Sequence, residues 1–285
     1  MMKKSGVDVL TFPDSPSGRT RADSILMAEK VSRETGMCVM PHICCRDKNA
    51  IAMRSQLLGA HINNINNFLV ITGDPIPSMV RSSVKSVFNF DSVGLMNIIS
   101  DMNQDQFADK PVIYGGAINQ GRVNFKVELA RVKKKMEAGA TFFMTQPVFS
   151  DEDISRLRQI KEETGARILC GIMPFVSLRN ATFMKNEMTG INVTDEILAR
   201  YSADMTKEEG EETGIQIAKE RTRYEYFSCW FGFNGKEKDS SVKKDVSAIS
   251  HLWSGSECTA MCVCKERVRN GDISDDGRSC FAKKI

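Results

Sequence analysis

An α/β fold, and within that class a (β/α)8 barrel of the TIM type, is what this sequence predicts, on three observations. Short apolar runs alternate with helical patterns at steps of about 30 residues, six times over, as βα units do. The runs lack polar alternation, as expected of short parallel strands buried on both faces. And no G-x-G-x-x-G follows the first run, where an open nucleotide-binding sheet would carry one.

The first run is Val7-Asp-Val-Leu-Thr11, and Pro13-Asp-Ser-Pro-Ser-Gly18 reads as a loop from its turn residues. A helix follows over Ala22 to Thr35, with Gly36 as its C-terminal cap. Met37 to Met40 is the second strand, ending at Pro41-His42 and a polar loop to Asn49. Ile51, Leu58 and Ile62 then recur at helical spacing. Phe68-Leu-Val-Ile71 is the clearest strand of the chain. Thr72-Gly73 end it, Pro75 cannot extend a ladder, and Asp74 is left at the strand exit. A long loop leads to a helix at Val93 to Ile99 and a strand at Pro111 to Ala117. Phe125, Leu129, Val132 and Met136 give the cleanest amphipathic helix, with Lys126, Arg131, Lys133 and Lys134 on its opposite, solvated face. Thr141 to Pro147, a helix through Ile154, Leu157 and Ile160 closed by Gly165, and a strand from Arg167 to Pro174 follow. Thr194 caps a further helix.

Composition limits the function classes. Of 285 residues 41% are hydrophobic and 26% charged, which suits a globular chain with a real core. A net charge of +3 from 39 basic and 36 acidic residues, with no like-charge run beyond Lys133-Lys134-Lys135, does not point to nucleic acid. No stretch reaches the roughly 18 apolar residues of a membrane span, and Met1 to Val7 lacks the core of a signal peptide. A cytoplasmic protein is expected. Among nine cysteines, Cys38, Cys44, Cys45 and Cys170 sit beside apolar runs, as buried free thiols do. The other five crowd the final stretch, where C-x3-C-x-C over Cys258, Cys262 and Cys264 departs from C-x2-C zinc spacing. No metal is expected.

The six strand ends are Thr11, His42, Asp74, Gly115 to Ala117, Gln146, and Gly171 to Pro174. On a barrel they converge on one face, so a hydroxyl, an imidazole, a carboxylate and an amide share one pocket. There is no Ser/His/Asp or Cys/His arrangement and no pair of carboxylates, so the set suits a flat heteroaromatic cofactor better than nucleophilic or acid/base hydrolysis.

Four segments at these ends, Pro41-His-Ile-Cys-Cys-Arg-Asp-Lys-Asn49, Ile71-Thr-Gly-Asp-Pro75, Phe143-Met-Thr-Gln-Pro-Val-Phe149 and Gly171-Ile-Met-Pro-Phe-Val-Ser-Leu-Arg-Asn180, resemble the methylenetetrahydrofolate reductase family. The likeness is closest to the reductase half of bacterial bifunctional homocysteine methyltransferase/methylenetetrahydrofolate reductases and covers about Val7 to Glu220. It implies a (β/α)8 barrel binding FAD, an oxidoreductase that takes electrons from NADH or NADPH and reduces 5,10-methylenetetrahydrofolate to the 5-methyl form used in one-carbon and methionine metabolism. By motif position it implies that Thr11, His42, Gly116 and Ala117 line the flavin and that Lys135, with Lys134 beside it, meets the FAD phosphates. Asp74 would stand by both flavin and folate, favouring a cationic iminium. Gln146, Asn180 and Phe183 would contact the folate.

The resemblance also exposes departures. The family opens with a strand bearing a general-acid glutamate, and no matching glutamate precedes Val7, which would slow ring opening about 10²- to 10⁴-fold. A barrel lacking that first strand would present Val7–Thr11 as an open edge, needing a second copy or a complementing chain. Residues 1–222 then form a partial barrel. Residues 223–285 read either as a divergent cysteine-rich tail or as the product of a shifted frame, with Cys229 to Phe233 the one candidate for a last strand. The alternative function is a catalytically silent flavin- or folate-binding remnant.

Overall fold

The computed structural model describes residues 7–188, 190–223 and 261–264, the last as backbone. The fold is an incomplete (β/α) barrel of TIM type, in which six parallel strands alternate with helices. The strands are β1 (Val7–Phe12), β2 (Cys38–Cys44), β3 (Asn67–Ile71), β4 (Ile113–Ile118), β5 (Phe142–Pro147) and β6 (Ile168–Gly171). Between them run α1 (Ser24–Thr35), α2 (Ala50–Ile62), α3 (Ser92–Gln104), α4 (Phe125–Glu137) and α5 (Asp151–Thr164). After β6 come α6 (Leu178–Glu187), the short α7 (Asp195–Leu198) and α8 (Lys207–Arg223). The chain divides into two compact units, with the break inside β4 and again inside α4.

In the first unit β1, β2, β3 and the start of β4 pair in parallel, with Thr11 beside Met40, His42 beside Leu69, and Val70 beside Gly116. The helix starts follow from local chemistry. Asp23 accepts the Ile25 and Leu26 N–H groups, Asn49 that of Ala52, and Asp91 those of Val93 and Gly94, so each otherwise orphaned first turn finds an acceptor. Gly36 adopts φ 64°, the left-handed stop anticipated from the sequence.

Two expectations are corrected here. Ile51, Leu58 and Ile62 locate α2 but do not face the core: they are 80%, 40% and 79% exposed, while Met53, Leu57 and Ala60 are buried. The buried stripe is thus Met53, Leu57 and Ala60, on a different side of the helix from the stripe the spacing suggested. The second correction concerns the edge. The outer side of β1 is paired by β7 (Met261–Cys264), antiparallel, with Val7 opposite Cys264 and Thr11 opposite Met261. The β1 backbone is therefore not an open edge. Cys229 to Phe233, Cys258 and Cys280 lie outside the described residues, and among the described residues no cluster of potential metal ligands occurs.

The second unit contains β5 and β6, paired in parallel, and α5 to α8. Its core stacks Phe149 on Phe175, with ring centroids 4.6 Å apart, under Ile191, Val193, Ile197, Tyr201 and Ile217. Helix α6 had no clear periodic signal; Ser177 caps it by accepting the Asn180 N–H. Helix α8 packs its backbone directly on residues 175–176: a Cβ added at Gly214 would lie 1.9 Å from the Phe175 carbonyl oxygen, and one at Gly210 2.4 Å from that of Val176. Gly214→Ala should therefore destabilise the fold by about 2 kcal/mol despite the better helix propensity of alanine. Gly59→Ala, on the exposed side of α2 with nothing within 4 Å, should stabilise it by about 0.5–1 kcal/mol. Urea midpoints of the two variants should move in opposite directions; a shift of the same sign would refute the packing account.

Candidate active site

In the first unit the exits of β1, β2 and β3 bring Thr11, His42 and Asp74 to successive strand ends. Thr11 is fully buried. His42 lies in β2, where burial alone pushes its imidazole down to about 4, so the ring is neutral at pH 7. Its Nε2 is buried without a hydrogen-bond partner among the described residues. The Ser24 hydroxyl donates to the His42 carbonyl at 2.7 Å, locking the start of α1 to this strand.

Asp74 follows Gly73, which has φ 97° and stands where a Cβ would sit 3.1 Å from Arg46 Cβ and 3.2 Å from Cys44 Cβ. The glycine therefore allows the β3 exit to close on the β2 exit. The Asp74 carboxylate is exposed, and its Oδ2 accepts the Ser17 N–H at 2.7 Å. No ion pair among the described residues includes it. The loop after β1 that supplies this N–H is tightly wound, with Ser15 at φ 45°, Ser17 at φ 55° and Gly18 at φ 67°.

Arg46 joins these loops. It is 1% exposed and donates from Nε and Nη2 to the two Asp47 carboxylate oxygens at 2.7 and 2.6 Å, from Nη1 to the Asp74 carbonyl at 3.0 Å, and from Nη2 to the Ser15 carbonyl at 3.0 Å. Nearby, Asp14 accepts the Cys44 N–H and the Lys48 ammonium. Cys44 and Cys45 are buried thiols pushed up to about 12 by desolvation, so neither is a nucleophile at neutral pH. Gly116 is buried at the β4 exit beside Val70. Lys135 is buried in the last turn of α4, the end of the helix that Tyr114 ties down by donating to the Ala138 carbonyl; Lys134 beside it is exposed.

In the second unit Ala117 is half-buried near the end of β4 and Gln146 half-buried at the exit of β5. Gln120, fully buried, holds the latter: its Oε1 accepts the Gln146 N–H at 3.1 Å, and its Nε2 donates to the Gln146 and Pro147 carbonyls at 3.0 and 3.2 Å. Beyond the last residue of β4, the Gln120 side-chain amide thus pairs with the backbone at the end of β5, and the Gln146 side-chain amide has no partner among the described residues. Buried Glu128 accepts the Asn119 N–H and the Arg122 guanidinium at 2.9 and 2.8 Å, fixing the loop that carries Gln120. Asn180 is in the first turn of α6, its side-chain oxygen accepting the Val176 N–H, and Phe183 is exposed on the same helix. Truncating Gln120 to alanine should cost about 2 kcal/mol by stranding the Gln146 N–H and the Pro147 carbonyl, the Gln146 carbonyl keeping the Thr145 hydroxyl. A urea melt within about 0.5 kcal/mol of the parent would contradict that role.

The model of the methylenetetrahydrofolate reductase family matches residues 2–229. The chain belongs to that family. Among curated relatives, the 5,10-methylenetetrahydrofolate reductase of Buchnera aphidicola from Schizaphis graminum is 26% identical over 182 residues, 62% of this chain and 59% of the relative. That of Salmonella typhimurium is 24% identical over 186 residues, 65% of this chain and 59% of the relative. The chain thus spans about three fifths of the length of these reductases. A solved structure, an uncharacterised Clostridium thermocellum protein described as binding two copies of 5-methyl-5,6,7,8-tetrahydrofolic acid, superposes with a TM-score of 0.54 at 14% identity, covering 88% of this chain and 86% of that one. At that identity it supports the fold alone.

The strand-end motifs nominate Thr11, His42, Asp74 and Gln146 as site residues but do not single out Arg46, Gln120 or Glu128. Arg46 lies within Pro41 to Asn49, where a charged residue directly after two apolar cysteines is the available signal. Nothing in the spacing of Gln120 or Glu128 shows that one ends up completing a ladder and the other buried on α4.

Proposed function

We propose that this chain is an FAD-dependent oxidoreductase that reduces 5,10-methylenetetrahydrofolate to 5-methyltetrahydrofolate with NADH or NADPH as electron source. The observation that carries the reading is the line of strand exits in the first unit, where buried Thr11, neutral His42 and the un-neutralised carboxylate of Asp74 follow one another on adjacent strands of a reductase-family fold.

These residues fit a flavin. The buried, partnerless Nε2 of His42 calls for a polar edge supplied by a ligand, since burying such an atom unpaired is costly. Gly116 adds no side chain that would hold a flat ring away from the β4 backbone, with Ala117 next along the strand. Thr11 completes this lining, and Lys135 with Lys134 supplies charge for the phosphates. Bound FAD would accept a hydride from the nicotinamide and pass it to the folate, while the protein orients and stabilises.

The chain's own contribution is electrostatic. A carboxylate with no neutralising partner favours a substrate that becomes cationic, so Asp74 stabilises the iminium form of the folate over the neutral ring. Its position is fixed by the Ser17 N–H. The free amide of Gln146 offers a donor and an acceptor on one plane, which matches the edge of a pterin. Phe183 presents an exposed ring and Asn180 a polar group on α6 for the rest of the folate.

The test is the visible spectrum of the purified chain. A flavin band near about 450 nm that bleaches anaerobically with NADH or NADPH and returns on adding methylenetetrahydrofolate supports the reading. A colourless folded chain overturns it. A band that bleaches but is not restored by the folate supports the silent flavin-binding alternative.

A further inference from the structure

We propose that Arg46 is a positioning residue for Asp74, setting the direction of the carboxylate by holding the backbone on both sides of it. This rests on the reductase reading given above.

A guanidinium removed from water costs several kcal/mol unless its N–H groups are satisfied, so four well-formed bonds on a side chain 1% exposed mark a built arrangement. Asp47 takes one edge of the fork and neutralises it. The remaining donors go to two backbone carbonyls, and the choice of carbonyls is informative. One belongs to Asp74 itself. The other belongs to Ser15, two residues before the Ser17 N–H that binds the Asp74 carboxylate. The carboxylate and its one backbone donor are thus both referred to a single rigid plane. The Arg46 carbonyl in turn accepts the Val87 N–H at 2.7 Å, bringing the far end of the loop after β3 into the same frame.

The loop conformation fits this role. Ser15 and Ser17 are both in the left-handed region, which is strained for a non-glycine residue and persists only where the surroundings over-determine it. Here Arg46 holds Ser15 at its carbonyl and Asp74 holds Ser17 at its N–H. A lysine has no planar fork and could not reach a bidentate carboxylate and two diverging carbonyls at once.

The test is a double-mutant cycle on the flavin-loaded chain, with R46K and R46Q each made in the parent and in the D74N background. The two half-reactions are followed separately. In the parent, either substitution should slow reoxidation of reduced flavin by methylenetetrahydrofolate about 10²-fold, the usual cost of a misplaced group, with NADPH reduction of the flavin little changed. In D74N, where no charge remains to be aimed, the same substitution should cost less than about threefold. Equal losses in both backgrounds mean a general loop staple and overturn the proposal.

Amide hydrogen exchange at Ser17 tests the coupling without turnover. R46K and R46Q should each speed exchange at Ser17 at least about tenfold while β2 core amides stay at the parent rate. Parent-like protection at Ser17 overturns the proposal whatever the kinetics. If the parent chain shows no flavin chemistry, the reductase reading fails by that result alone, and the exchange measurement still decides the role of Arg46.

Discussion

Asp74→Asn is expected to slow the reoxidation of reduced flavin by methylenetetrahydrofolate by about 10²- to 10³-fold, the range seen when one pre-organised electrostatic contact to a developing charge is removed. The substitution is nearly isosteric. An asparagine oxygen can still accept the Ser17 N–H, so the loop frame is kept and the charge alone is lost. Reduction of the flavin by NADH or NADPH involves no cationic folate and should proceed near the parent rate. The contrast between the two half-reactions is the informative quantity. Stopped-flow traces in which both slow together would place Asp74 in flavin binding rather than in stabilising the folate cation.

Acidification should weaken the fold through His42, by about 3 kcal/mol between pH 7 and pH 4, because each unit of pKa difference is worth about 1.4 kcal/mol. Burial lowers the folded imidazole from 6.5 to about 4. As pH falls below 6.5 the unfolded chain takes up a proton that the folded chain refuses until about 4, so the unfolded state binds more protons throughout this window. Stability therefore rises with pH across it: it is full above 6.5 and is lost as pH drops toward 4. His42→Gln removes the titrating group while keeping a polar side chain. Urea unfolding at pH 7 and pH 5 should show the parent losing about 2 kcal/mol more than this variant. Equal losses would mean that the imidazole is not held neutral.

The fold was largely legible because its strands are short and apolar, so all six parallel strands and most helices announced themselves; β2 ends later than expected, since Pro41 pairs with Phe12 inside the strand, which runs on to Cys44. The stops at Gly36 and Gly165 came out as left-handed caps at φ 64° and 68°. What stayed hidden depended on three-dimensional contact. Ile51, Leu58 and Ile62 have the right period for α2 but the wrong face, because periodicity gives the phase of a stripe and not what lies opposite it. Helix α6 is held by the Ser177 cap and by the core under Phe175 rather than by a strong apolar stripe. For the site, the motifs nominate single residues at strand ends, whereas the groups that hold those residues come from elsewhere in the chain. Arg46 reaches the Asp74 carbonyl across 28 positions and Gln120 reaches Gln146 across 26. No local pattern encodes such a bond.

The pairing of β7 with β1 has a consequence for how the molecule is made. Val7 meets Cys264 in that ladder, whereas β1 meets β2 through neighbours such as Leu10 and Val39. The closure entropy of so long a loop grows only logarithmically, so the finished structure tolerates it, but contacts of such separation form late. At about 5–20 residues per second of synthesis, β1 leaves the ribosome roughly ten to fifty seconds before β7 exists. Through that interval the outer edge of β1 waits for β7, and the step most exposed to mispairing is the docking of that strand.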